Sequence, residues 1–138
     1  EGGRGYAVST RAAAYTRKSM ADHLADSGRQ TTVIVQIEDL AALSDVQDIA
    51  AVDGIDALFI GRIDLAVAMG KSPSDDAVVE TVRTICAEAS AAGATVGMFT
   101  ADLGEIPMWR KAGSSLFLLG SDHSFMLAGA NELARTAG

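Results

Sequence analysis

Four short apolar runs punctuate the chain, and each is followed by a stretch with helical spacing. Residues 31–38 read Thr-Thr-Val-Ile-Val-Gln-Ile-Glu, β-branched and apolar until the end, which predicts a buried strand. Residues 56–60, 95–99 and 115–119 predict three more. Between them, residues 39–50, 74–92 and 102–112 place apolar side chains at helical intervals, and residues 124–137 predict a last helix. Ser74 is the expected N-cap of the long helix, with Asp75, Asp76 and Glu80 at its positive end and Gly93 closing it. Ahead of the first strand, residues 10–27 predict a helix that stops near Gly28. Residues 63–70 form a brief segment without a clear period.

Four strands each followed by a helix make a repeated βα pattern and imply a parallel sheet in one domain, residues 1–138. Two architectures satisfy this α/β count. One is an open flavodoxin-like sheet, such as a binding or receiver module. The other is half of a (β/α)8 barrel. A receiver needs a phosphoacceptor Asp at the end of its third strand, and Phe99-Thr100 stands there instead.

Charge narrows the partners. Eleven basic residues face 18 acidic ones, for a net charge of −7, which argues against nucleic acid. The single cysteine, Cys86, has no partner for an intramolecular disulfide and fits a reducing, cytoplasmic setting. No apolar run approaches the roughly 18 residues of a membrane span. The chain starts at Glu1 inside a glycine-rich stretch, which reads as a piece of something longer.

In parallel α/β proteins the reactive groups collect where strands end and βα loops begin. Gln36 and Glu38 share one side of the first strand's end, because side chains alternate. Asp64 lies just past the second strand. If these strands are neighbours, two carboxylates meet at one rim, an arrangement that calls for a cation between them. Each acid taken singly reads more readily as a helix cap, and only the pair with Gln36 raises the cation to an even alternative. Cys86, Met98, Met108 and Trp109 read as packing residues, and His23 and His123 as solvated or capping groups.

The wording around those acids is familiar. Val35-Gln36-Ile37-Glu38, followed by Val52 through Ala66 with Phe59-Ile60-Gly61-Arg62-Ile63-Asp64-Leu65 at its centre, closely resembles the HpcH/HpaI aldolase family. Gly3-Arg4-Gly5-Tyr6 with Ser9 and Arg11 resembles the loop before that family's fifth strand, and Leu119-Gly120-Ser121-Asp122 its eighth strand end. The resemblance implies the C-terminal half, strands five to eight, of a TIM-type (β/α)8 barrel. It further implies a class II pyruvate aldolase, which cleaves a 4-hydroxy-2-oxo acid to pyruvate and an aldehyde. A citrate-lyase-like or malyl-CoA-lyase-like reaction is the alternative.

By the same resemblance Glu38 and Asp64 hold a divalent cation (Mg²⁺, Mn²⁺ or Co²⁺), while Gln36 and the backbone at Ile63 and Asp64 hold the oxo acid. The family's catalytic His and Arg belong to the other half of the barrel, so this chain supplies none. Arg62 stands where the family commonly has Pro. Four strands with two open edges also imply a homo-oligomer. Either the face lined by Ile34, Leu58, Ile60, Met98 and Leu118, or the alternate face, is expected to pack against strands from elsewhere.

Overall fold

The computed structural model describes residues 5–138, so Gly3 and Arg4 of the glycine-arginine loop lie outside the described residues. The chain divides into two compact units, one ending at Thr32 and the other spanning Val33–Gly138. In the first, the expected single helix over residues 10–27 is replaced by two pieces. A 3-10 turn, Arg11–Ala13, is followed by α1, Met20–Gln30. Between them Ala14, Tyr15 and Thr16 all take left-handed φ angles, which no helix accommodates. Helix α1 restarts at Ser19, whose hydroxyl caps the Asp22 amide, and it runs through Gly28. Asp26 pairs with Lys18 at 2.6 Å and also with Arg29. These two cations, Lys18 foremost, hold its carboxyl below the usual value.

The second unit carries the βα pattern. Its elements are β1 (Ile34–Ile37), α2 (Val46–Ala50), β2 (Ala57–Ile60), α3 (Arg62–Ala68), α4 (Asp76–Ala91), β3 (Thr95–Phe99), α5 (Ile106–Ala112), β4 (Leu116–Leu118) and α6 (Asp122–Ala137). Short 3-10 turns, Leu40–Asp45 and Leu103–Glu105, lead into α2 and α5. The strands are parallel and lie in the order β1-β2-β3-β4. Every crossover therefore steps to the next strand in the same direction. Right-handed crossovers that never reverse leave their helices on one face, whereas a doubly wound sheet turns back and covers both. Four consecutive βα units of this kind are half of a (β/α)8 barrel.

Alternation along the strands separates two faces. Ile37, Leu58, Ile60, Val96 and Met98 point into the helical layer, where they pack with Val46, Leu65, Val78, Val82, Ile85, Cys86 and Trp109. Ile34, Gln36, Phe59, Phe99 and Leu118 point the other way. The face expected to meet other strands thus mixes two sets: Leu58, Ile60 and Met98 are fully buried under helices, while Ile34 and Leu118 are about half exposed. The expectation that the first strand is buried is corrected too. Only Ile37 is buried in β1, because β1 is an edge and one side has no covering layer. Helix α6 buries no residue, and Phe125, Met126, Leu127 and Leu133 along it are exposed. No helix among the described residues is long and apolar enough to cross a membrane.

Candidate functional site

The register pairs Ile37 with Ile60, so β1 and β2 end level with one another. The Gly61 amide extends that ladder by donating to the Ile37 carbonyl at 2.9 Å. One residue beyond β1 stands Glu38. Gly61 is the N-cap of α3, which puts Asp64 in that helix's first turn. The strand ends thereby bring the two acids to one corner of the sheet.

Gly61 measures how tight that corner is. A Cβ placed on it would lie 2.8 Å from Gln36 Nε2, 2.9 Å from Glu38 Cβ and 3.1 Å from Asp64 Oδ2. Three side chains of the expected site thus converge on a single point, and only glycine leaves that point empty. The Gln36 amide donates to Glu38 Oε2 at 2.6 Å, as their shared side of the strand requires, and turns that carboxylate.

Neither acid is spent on a helix cap. Asp39, not Glu38, caps the 3-10 turn after β1 by accepting from the Ala41 amide at 2.9 Å. The α3 cap is Gly61, with no side-chain bond. Among the described residues Asp64 accepts no hydrogen bond, and Glu38 accepts only that from Gln36. Elsewhere the capping expectation moves by one residue: Asp75, not Ser74, caps α4 through the Ala77 amide.

A cavity of about 380 Å³ opens beside this corner, its lining including Gln36, Phe59, Arg62, Asp64, Phe99 and Asp102. Phe59 and Phe99 supply apolar lining, and Asp64, Asp102 and the Gln36 amide supply polar lining. A larger groove of about 500 Å³ lies on the helical layer between α4 and α5, among Glu80, Arg83, Glu88 and Lys111, and holds no strand-end residue.

The donor set suits a hard cation. Carboxylate and amide oxygens favour Mg²⁺ or Mn²⁺ over thiolate-seeking ions, and two acids leave coordination positions for a chelating ligand and water. Among the described residues no cluster of three or more His, Cys, Asp or Glu side chains is poised for a metal, so a cation here would rest on this pair together with its ligand.

Residues 6–128 match the sequence profile of the HpcH/HpaI aldolase/citrate lyase family. The chain belongs to that family. A 5-keto-4-deoxy-D-glucarate aldolase of Salmonella arizonae is 36% identical over 138 residues, covering 99% of this chain and 53% of the relative. Its counterpart from Salmonella paratyphi C is 34% identical over the same span. A solved HpcH/HpaI aldolase/citrate lyase family protein from Burkholderia cenocepacia superposes with a TM-score of 0.82 at 32% identity, over 97% of this chain and 52% of that one. The HpcH/HpaI aldolase from Desulfitobacterium hafniense shares the fold, with a TM-score of 0.77 at 24% identity and 53% of its length covered. The chain spans about half the length of the curated relatives it matches.

The other candidates have surroundings of their own. The His123 side chain is 81% exposed and pairs with Asp122. His23 belongs to the first unit, where its ring packs against Tyr6. Cys86 is fully buried, and burial pushes its thiol up to about 12, so it stays protonated and unreactive. Two residues beside the site escaped the sequence reading. Gly61 left no signal beyond being a glycine after a strand. Glu105 left none, since its contacts depend on a partner 43 positions away.

Proposed function

We propose that this chain is the cation-holding half of a metal-dependent aldolase that cleaves a 4-hydroxy-2-oxo acid to pyruvate and an aldehyde. Family membership supports a carbon–carbon lyase, and convergence of Gln36, Glu38 and Asp64 on the point above Gly61 supports the finer reading. Glu38 and Asp64 would hold the divalent cation. Gln36 would orient Glu38 and face the oxo acid, and the backbone at Ile63 and Asp64 would hold the substrate's carboxylate end. A cation bound there supplies Lewis-acid stabilisation of the negative charge that develops on the oxo-acid oxygens.

Cleavage requires that the 4-hydroxyl proton be removed, that the bond between carbons 3 and 4 break, and that a proton return to carbon 3. The residues at this corner carry no base for those transfers. By family resemblance the catalytic His for them, with a transition-state Arg beside it, comes from the other half of the barrel. Phe59 and Phe99 would keep water from the apolar part of the substrate. The half-exposed Ile34 and Leu118 favour self-association, so the chain is proposed to form a homo-oligomer, and its single cysteine fits a reducing, cytoplasmic compartment.

Mn²⁺ titration followed by electron paramagnetic resonance tests the site without requiring turnover. The 138-residue chain should deplete the free-Mn²⁺ spectrum by binding the ion, and Asp64→Ala or Glu38→Ala should abolish that binding. Cys86→Ala should leave it intact. In a protein that completes the barrel, Asp64→Ala should abolish pyruvate release while Cys86→Ala retains most of it. Equal losses from both would mark a folding effect and defeat the reading.

A further inference from the structure

Arg62 is the first residue of α3, directly after the Gly61 cap and two positions before Asp64. Its guanidinium is not free to roam. Nη1 donates to Glu105 Oε2 at 2.8 Å, and the group lies over the Trp109 ring, 5.6 Å from the centroid. The same Glu105 oxygen accepts from Trp109 Nε1 at 3.2 Å and lies 3.3 Å from the Thr100 hydroxyl, whose one proton it shares with the Asp102 carbonyl at 3.0 Å. Trp109 and Thr100 are buried, which anchors Glu105 to the core at the loop after β3. Arg62 and Glu105 are themselves only 19% and 29% exposed.

The Gly61 amide ties the residue before α3 to the Ile37 carbonyl and Leu65 is buried, and the Arg62 side chain adds the hydrogen bond that runs from the first turn of α3 to the loop after β3. Gly61 is the most permissive residue available for a cap, and no side chain bonds to the helix's free amides. The direction in which Asp64 projects therefore depends on where the first turn is held. We propose that Arg62 and Glu105 are positioning residues: together they clasp the first turn of α3 to the loop after β3 and so fix Asp64 at the corner. This inference rests on the cation reading of Glu38 and Asp64.

The position offers a discriminating substitution. Arg62 donates no backbone hydrogen bond, because it occupies the first helical position. A proline there loses no bond and presets φ near −65°, the helical value. It would fix the turn by ring geometry in place of the clasp. Alanine supplies neither device. Glu105→Gln keeps an acceptor for Trp109 and Thr100 but removes the charge that holds Arg62.

Two readouts separate this proposal from the reading beneath it. The first is exchange of the Leu65 amide, whose bond to the Gly61 carbonyl at 2.9 Å closes the first turn of α3. The second is Mn²⁺ affinity. Arg62→Ala should speed Leu65 exchange and weaken Mn²⁺ binding by about tenfold, the scale of losing a group that orients a ligand. Glu105→Gln should move both in the same direction by less. Arg62→Pro should return Mn²⁺ affinity to within about threefold of the parent. Should Arg62→Ala and Arg62→Pro weaken Mn²⁺ equally with exchange unchanged, Arg62 does not act through the first turn and the clasp is wrong. Unchanged exchange and affinity in Arg62→Ala and Glu105→Gln would also overturn it. If the parent chain binds no Mn²⁺, the cation reading fails while Leu65 exchange still decides whether the clasp exists.

Discussion

Two kinds of carboxylate stand at the ends of strands and starts of helices in this chain. Asp39, Asp75 and Asp102 each accept a backbone amide two residues ahead, from Ala41, Ala77 and Gly104. Glu38 and Asp64 do nothing of the sort. The first set satisfies donors that a helix terminus leaves unpaired, and that is sufficient reason for an acid to be there. The second set has no such task. Its two members crowd around a glycine, and like charges brought together at one corner cost free energy unless something positive lies between them. Identical residue types in similar sequence positions thus carry opposite meanings, and the backbone donors around them tell which is which.

The comparison can be broken most forcefully at Gly61. Adding a methyl group there places it within 2.9 Å of Glu38 Cβ, which cannot swing aside as the end of a side chain can. Gly61→Ala should therefore push the ends of β1 and β2 apart, lose Mn²⁺ binding and cost about 1–3 kcal/mol of stability, the scale of overpacking. Urea denaturation and Mn²⁺ titration check the two effects. Full affinity in a stable Gly61→Ala chain would show that the corner is looser than its distances imply.

A smaller, opposite outcome is expected one residue from Glu38. Asp39→Ala removes a cap and should cost about 1 kcal/mol, yet leave Mn²⁺ affinity unchanged. Glu38→Ala should do the reverse, abolishing binding at little cost in stability. If the two adjacent acids respond alike, the distinction between capping and converging carboxylates collapses.

Much of this was legible in the sequence. The four apolar runs became the four strands, with 95–99 matching β3 at both ends. Gln36, Glu38 and Asp64 could be placed together because a period of two puts Gln36 and Glu38 on one side and a short loop carries Asp64. Three things were not legible. Tyr15 and Thr16 look compatible with a helix, and only their left-handed φ angles reveal a turn. Leu58 and Leu118 are equally apolar, so which face has a helical layer depends on the crossover direction, which periodicity does not encode. Ser74 and Asp75 are both good caps, and the one-residue choice between them rests on backbone angles. The Arg62–Glu105 pair is the extreme case. An Arg after a strand invites a substrate-binding role, and only the fold shows a buried tryptophan and a carboxylate already holding it.

The finest test of the comparison is the pH dependence of a capping acid. Asp75 accepts the Ala77 amide and, at 3.2 Å, the Lys71 ammonium. These partners, the amide first, hold its carboxyl below the ordinary value of 3.8. A group whose folded pKa is depressed adds stability that is fully present above its unfolded pKa and is lost as pH falls through the folded value. The Asp75 contribution should therefore be constant near neutrality and drain away below about pH 4. Asp75→Asn keeps an oxygen for the Ala77 amide but does not titrate. Its melting temperature should lie modestly below that of the parent at pH 7, and the gap should narrow on acidification to pH 3. Salt should shrink the share due to the exposed Lys71 pair and spare the share due to the amide. Parallel melting curves across that range would show that Asp75 is not bound to its helix as the structure has it, and would remove the standard against which Asp64 is judged.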